Sequence, residues 1–230
     1  MIQTDTIVPE PELEPFPRRL DRFYRFHSRI YDHTRWLILH GREAAVRALN
    51  LSPGASVLDV GCGTGSNFKY MVDAVGPEGR VVGVDASEPM LRVAGKRIQR
   101  KGWSNVEARL ADASELSLDE RFDGVVFGYS AAVIPRWEPA IEKAAEHLKP
   151  GGTLCVLEFG TFSAWPRLIG GVAKAWLNRN HVKVYRPIEA HMRTCLEDVQ
   201  VRRRHGDYYI IATGKRSART GNAVRPPLGV

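Results

Sequence analysis

Between Ser56 and Gly160 short apolar, β-branched runs alternate with helical segments, and that alternation restricts the fold more than any other feature of the chain. "SVLDVG", "RVVGVD", "NVEARLAD", "FDGVVFGYS" and "TLCVLEFG" read as strands. "NFKYMVDAVG", "SEPMLRVAGKRIQRKG" and "EPAIEKAAEHLKPGG" read as helices, with Ser87 as a cap and Gly76 and Gly102 as stops. Strands this apolar are buried on both faces, and joining them through helices makes their neighbours parallel. The expected class is α/β, a doubly wound, mostly parallel, Rossmann-like sheet. After further helical stretches, two β-runs flank His205-Gly206-Asp207, so the sheet should close through a hairpin with an antiparallel last strand.

The flanks differ from this middle. Residues 1–17 are acidic and proline-rich without periodicity and read as a disordered tail. Residues 18–50 read as a basic, amphipathic helical lid, broken near Asp32 or at His40-Gly41. Leu20, Phe23, Tyr24, His27, Ile30 and Tyr31 take one face, and Arg18, Arg22, Arg25 and Arg29 another. Residues 51–216 form the main domain, and 217–230 a loose basic tail. The net charge of +7 divides into −4 over residues 1–17, +5 over 18–42, zero over 43–200 and +6 over 201–230. Basic flanks around a neutral middle point to an anionic surface. Arginines interleaved with aromatics over residues 18–35 suit the face of a membrane. From the acidic, proline-rich first residues no signal peptide is expected, and no apolar run reaches the roughly 20 residues that a span needs. Cys62, Cys155 and Cys195 lack metal-ligand spacing, so neither a metal nor a disulfide framework is expected. The expected setting is the cytoplasm, peripheral to the inner membrane face.

"VLDVGCGTG" ends the first strand in three glycines, Gly61, Gly63 and Gly65. Glycine there lets the chain turn tightly and lets a ligand lie against bare backbone. Open parallel sheets bind ligands at this end of their strands. Dinucleotide enzymes prefer G-x-G-x-x-G. Here the spacing is G-x-G-x-G, and Asp59 precedes it, poorly placed beside a diphosphate but well placed to meet an ammonium. Asp85 at the second strand tip suits ribose hydroxyls, and Asp112 at the third suits an adenine amine. Together they describe a nucleoside joined to an amino acid, S-adenosylmethionine.

"VLDVGCGTG", "VVGVDAS", "LADAS", "FDGVVFGYS" and "LKPGGTLCVLEFG", in that order over residues 57–160, resemble the class I S-adenosylmethionine-dependent methyltransferases. The resemblance implies a seven-stranded sheet. It implies that Asp59, Gly61, Gly63 and Gly65 line the methionine side of the cofactor, Asp85 and Ala86 the ribose, and Asp112 and Ala113 the adenine. Tyr129 would border both cofactor and acceptor. "FHSRIYDHTRWLILHGR", "FGYSAAVIPRW" and "WLNRNHVKVYRPIEAHM" are similar to bacterial lipid-headgroup N-methyltransferases, of the betaine-lipid and phosphatidylethanolamine types. That likeness implies that Tyr31 closes over the cofactor, that Tyr129, Pro135 and Trp137 shape the acceptor pocket, and that His181 and Arg186 meet the headgroup.

Methyl transfer from a sulfonium needs an aligned, dry nucleophile. An amine needs little besides positioning, whereas a ring carbon or phenol needs a base. Tyr129 and Glu158 are the polar candidates near the transferred methyl. With no His or Asp evidently placed as a base, the expectation leans to an amine headgroup in phospholipid metabolism. The alternatives are a quinone-biosynthesis C-methyltransferase, a soluble small-molecule methyltransferase and a non-catalytic cofactor-binding regulator. A nucleic-acid substrate is not expected, because Gly128-Tyr129-Ser130-Ala131 stands where an N-P-P-Y-like clamp would.

Overall fold

The computed structural model describes residues 40–179 and 186–218. Seven strands form one sheet: β1 (Ser56–Val60), β2 (Arg80–Asp85), β3 (Val106–Leu110), β4 (Phe122–Gly128), β5 (Leu148–Phe159), β6 (Glu197–Arg204) and β7 (Tyr209–Lys215). Their spatial order is β3-β2-β1-β4-β5-β7-β6. β1 to β5 pair in parallel, and β7 lies antiparallel between β5 and β6. The expected hairpin therefore supplies the antiparallel strand by folding back between its partner and the parallel sheet. From β1 the chain builds outward to β3, then returns to place β4 on the other side of β1. Such a reversal opens a crevice at the strand tips.

The described helices are α1 (Arg42–Ala48), α2 (Phe68–Val75), α3 (Glu88–Lys101), α4 (Trp137–Glu146), α5 (Arg167–Arg179) and α6 (Ile188–Cys195). Strand alternation sorts them onto two faces. Val57, Val126, Cys155 and Leu157 pack toward α1, α2 and α3. Leu58, Val60, Val125, Phe127, Leu154 and Val156 pack toward α4 and α6. Phe68 is fully buried, with its ring under the glycine loop and Gly83. Truncating a buried phenylalanine of this kind costs about 3–5 kcal/mol.

Of the two breaks expected in the N-terminal helical region, Gly41 starts α1 in the left-handed conformation, whereas Asp32 lies outside the described residues. Gly102 ends α3 as expected. Ser87 departs from expectation. It occupies the position before α3, but its hydroxyl caps nothing and is buried without a partner. The Asp85 carboxylate holds the backbone just before α3, accepting the Ser87 N–H at 2.9 Å, and caps none of the first-turn amides itself.

Candidate active site

The crevice begins where β1 stops. Gly61 has φ 68°, and a Cβ on it would lie 2.5 Å from Cβ of Ser130. Only glycine lets the loop after β1 pass this close to the loop after β4. Ser130 locks the approach by donating its hydroxyl to the Val60 carbonyl at 2.6 Å. The amides of Gly61 and Cys62 donate to Val84 of β2, at 2.8 and 3.0 Å. The Gly63 amide donates to Asp85 Oδ2 at 2.8 Å. Asp85 thus clamps the glycine loop with one oxygen and the start of α3 with the other. A carboxylate oxygen has two lone pairs, so it can also accept from hydroxyls lying outside the loop. Burial raises its pKa, and the amides of Ser87, Gly63 and Ala86 oppose that rise.

Asp59 lies fully buried one residue before the end of β1, on the α1–α2 face. Its Oδ1 accepts from Asn67 Nδ2 at 2.9 Å. Asn67 Oδ1 in turn accepts from the Arg42 guanidinium at 2.6 Å, and that guanidinium also reaches the Gly128 carbonyl at 3.4 Å. With its oxygen held by Arg42, the amide must present its nitrogen to Asp59. A side chain at Gly128 would collide with Asn67, 2.4 Å from the Cβ position. Asp59 Oδ2 is buried with no partner. Burial pushes the Asp59 carboxyl up to about 7, against the pull of Asn67 and Arg42.

These residues fit an adenosyl amino acid. An ammonium would give Asp59 Oδ2 the donor it lacks. The space a side chain would fill at Gly63 is open, and Asp112 stands exposed at the tip of β3. Asp112 Oδ1 accepts from the Ser114 amide and hydroxyl, at 2.8 and 2.7 Å, which fixes buried Ala113 in a short 3-10 turn. Gly65 is needed for packing, since a Cβ there would meet the Phe68 ring at 2.5 Å.

On the other side of the crevice Tyr129 follows β4 with φ 61°, a strained conformation for a tyrosine. Its hydroxyl donates to the His40 carbonyl at 2.6 Å, and its ring lies 4.7 Å from Phe159 and 5.5 Å from the Arg42 guanidinium. Burial drives its phenol further above the ordinary range, so Tyr129 is no base near neutral pH. Glu158, 3% exposed at the end of β5, accepts the Ala132 amide on Oε1 at 2.9 Å, and its Oε2 has no partner. Burial pushes it up to about 7, with the Ala132 amide and Arg186 opposing.

Arg186 donates to the carbonyls of Ala131 and Ile134 and lies over the Trp137 ring, 5.7 Å from its centroid. Trp137 is 7% exposed, with His191 edge-on at 5.3 Å. Arg186, expected at the headgroup, and Trp137, expected to shape the acceptor pocket, are therefore built into the wall behind the loop after β4. Tyr31 and His181 lie outside the described residues, as do the arginines of residues 18–35.

Several participants carry no clear signal in the sequence. Asn67 and Arg42 orient Asp59, although neither belongs to a strand tip. Asp207, in the hairpin turn, accepts from the Thr161 amide at 3.0 Å and hydroxyl, the Ser163 hydroxyl at 3.0 Å, and Arg203 at 2.8 Å. These bonds outweigh the burial cost and hold its carboxyl down at about 2. The lock fixes the loop after β5, where Phe162 and Trp165 gather around Tyr208, Trp165 stacking on it at 5.7 Å. Gly41 beside Arg42, and the polar Asn67 just after the glycines, are the only local hints. A separate cavity of about 570 Å³, lined by Leu51, Asp123, Lys149 and Lys215 among others, lies at the opposite end of the sheet.

Residues 57–152 match the family profile described as Methyltransferase domain. Those residues form a methyltransferase domain. The solved structure of an S-adenosylmethionine-dependent methyltransferase from Aquifex aeolicus superposes with TM-score 0.64 at 19% identity, covering 88% of this chain and 100% of that one. Haemonchus contortus phosphoethanolamine N-methyltransferase 2, in complex with phosphomonomethylethanolamine and S-adenosylhomocysteine, gives TM-score 0.72 at 17% identity over 91% of this chain and 62% of that one. At such identities the likeness is one of fold. In sequence, the chain is 33% identical over 158 residues to demethylmenaquinone methyltransferase of Geobacillus kaustophilus, covering 66% of each chain. It is 33% identical over 127 residues to that of Listeria monocytogenes, covering 55% of this chain and 52% of the relative. The chain thus matches between about half and just under two thirds of these relatives' lengths.

Proposed function

We propose that this methyltransferase alkylates a ring carbon of a quinone-type acceptor, with Glu158 as the base. When bound, S-adenosylmethionine supplies a methyl group carried on a sulfonium. Asp59 holds the cofactor's ammonium, oriented by Asn67 and Arg42, and Asp85 and Asp112 take the ribose and adenine sides. Tyr129, Phe159 and Phe162 give the acceptor side a dry aromatic wall. Glu158 accepts the proton that the ring carbon or its hydroxyl must lose as the new carbon–carbon bond forms. The observation that carries this reading is Glu158 Oε2, a buried carboxylate oxygen without a donor on a group held at about 7. A base poised near the working pH suits carbon or phenol chemistry and is superfluous for a neutral amine. The sequence relatives named as demethylmenaquinone methyltransferases support the same acceptor class.

N-Methylation of a lipid headgroup, the first expectation from the sequence, has weaker support. Arg186, the cation expected to meet the headgroup, commits one guanidinium nitrogen, Nη1, to two backbone carbonyls. Methyl-labelled S-adenosylmethionine offered with demethylmenaquinone, or with phosphatidylethanolamine and diacylglyceryl-homoserine vesicles, separates the readings. Label in the quinone fraction is expected. Label in the headgroups would overturn the proposal, and cofactor binding without release of S-adenosylhomocysteine would mark a regulator instead. Glu158→Gln should lower kcat by roughly 10²–10⁴-fold, abolish the acid limb of the rate profile near pH 7 and leave cofactor affinity unchanged. An unaltered rate profile in that variant would remove Glu158 from the mechanism.

A further inference from the structure

Among the described residues the large exposed hydrophobics are Leu110, Leu168, Ile169 and Val172, and three of the four share one face of α5. Leu168 is 81% exposed, Val172 64% and Ile169 53%. Leu168 and Val172 are four residues apart and so lie one above the other, and exposed Ala175 extends the same stripe. The opposite face is anchored: Leu177 is buried in a cluster with Ala132, Phe159 and Phe162. The outward stripe is therefore not a misplaced core face.

The segment that carries the stripe is basic in sequence. From Phe159 to Ile188 the sequence holds five bases and no acid. The loop before α5 rests on the β6–β7 hairpin, where Trp165 Nε1 donates to the His205 carbonyl at 3.2 Å. That hairpin presents exposed Arg202 and Arg204. No described helix is long and apolar enough to cross a membrane.

We infer that the outer face of α5 docks on an anionic lipid bilayer, with Leu168, Ile169 and Val172 entering the headgroup boundary. Charge complementarity selects this partner. Aliphatic side chains on a segment whose sequence is basic and free of acids, beside a hairpin that exposes Arg202 and Arg204, match an anionic leaflet, where each nearby base adds to binding. α5 follows the tip of β5, so docking by this face sets the aromatic side of the crevice near the bilayer. The surface is independent of which acceptor is methylated.

Flotation of the full chain with phosphatidylglycerol-rich vesicles, and with pure phosphatidylcholine vesicles, tests it. The protein should float with the former and roughly tenfold less with the latter. The Leu168→Glu/Val172→Glu variant should lose roughly tenfold or more of the binding while keeping its melting temperature and its affinity for S-adenosylhomocysteine. No flotation, or flotation that the α5 variant leaves intact and an Arg22→Glu/Arg25→Glu/Arg29→Glu variant abolishes, would overturn the inference. So would a dimer in sedimentation velocity that the α5 variant dissociates, because a second copy would then cover the face. A lower melting temperature of the α5 variant without vesicles would show the chain itself covering the face, and would overturn the inference equally. None of these readouts involves methyl transfer, so they succeed or fail apart from the ring-carbon reading.

Discussion

Over β1 and β2 the crevice is made of backbone amides and short acids, whereas over β4 and β5 it is made of large side chains brought together from distant parts of the chain. On the first side the Asp59–Asn67 and Gly63–Asp85 bonds span 8 and 22 residues. On the second, Tyr129 meets His40 across 89 residues and Thr161 meets Asp207 across 46. On the proposed reading the cofactor side would recognise a molecule through fixed polar points, which a strand and one turn can carry. The acceptor side must present a shape, and shape needs bulky rings braced from several elements. Arg42 touches both, bonding Asn67 on one side and lying over Tyr129 on the other.

The two halves can be separated experimentally. Asp59→Asn should weaken S-adenosylhomocysteine binding by about 1.5–3 kcal/mol, since it removes a charged partner for an ammonium. Titration calorimetry should show that loss with the acceptor KM unchanged; a shift confined to the acceptor would break the division. On the other side, Asp207 is held at about 2 against an ordinary 3.8, so it contributes stability above pH 3.8 that is lost as pH falls toward 2. Asp207→Asn should cost about 2 kcal/mol in denaturant unfolding at neutral pH, flatten the acid limb of stability, and raise the acceptor KM more than the cofactor Kd.

The pH response should also divide. Asp59 in the unliganded fold sits at about 7 instead of 3.8. The sign is opposite to that of Asp207: the stability that protonated Asp59 lends is present below pH 3.8 and is lost as pH rises to about 7. An ammonium binds the ionised form, so S-adenosylhomocysteine affinity should fall about fivefold from pH 7 to pH 6, with proton release visible as buffer-dependent binding enthalpy. Asp59→Asn should abolish that proton release. The smallest effect is expected at Ser87. A capping serine costs about 0.5–2 kcal/mol when changed to alanine. Here the hydroxyl is buried and unpartnered. Ser87→Ala should therefore leave the melting temperature unchanged or slightly raised.

Much of the cofactor side is legible in the amino-acid order because its parts lie within one or two elements of each other. Apolar runs of strand length, glycines at Gly61, Gly63 and Gly65, and acids at the tips of successive strands each follow from local rules. Asn67 escapes such rules because an asparagine after a glycine loop has no distinctive pattern. Its role is decided by Arg42, on a helix before the sheet begins. Ser87 defies the capping rule because that rule is local, while the backbone around Ser87 is held by the Asp85 carboxylate, which β2 places.

By itself the sequence determined the doubly wound sheet, the side-chain-free turn after β1 and the row of acids at the strand tips. Each depends on periodicity or on the conformational freedom of single residues. The tertiary structure alone decided which oxygen of Asp59 is left without a donor and which loops Asp207 and Arg186 tie down. It also decided that the apolar stripe of α5 faces outward. Those outcomes depend on desolvation and on partners far away in the chain, and neither is a property of any local run of residues.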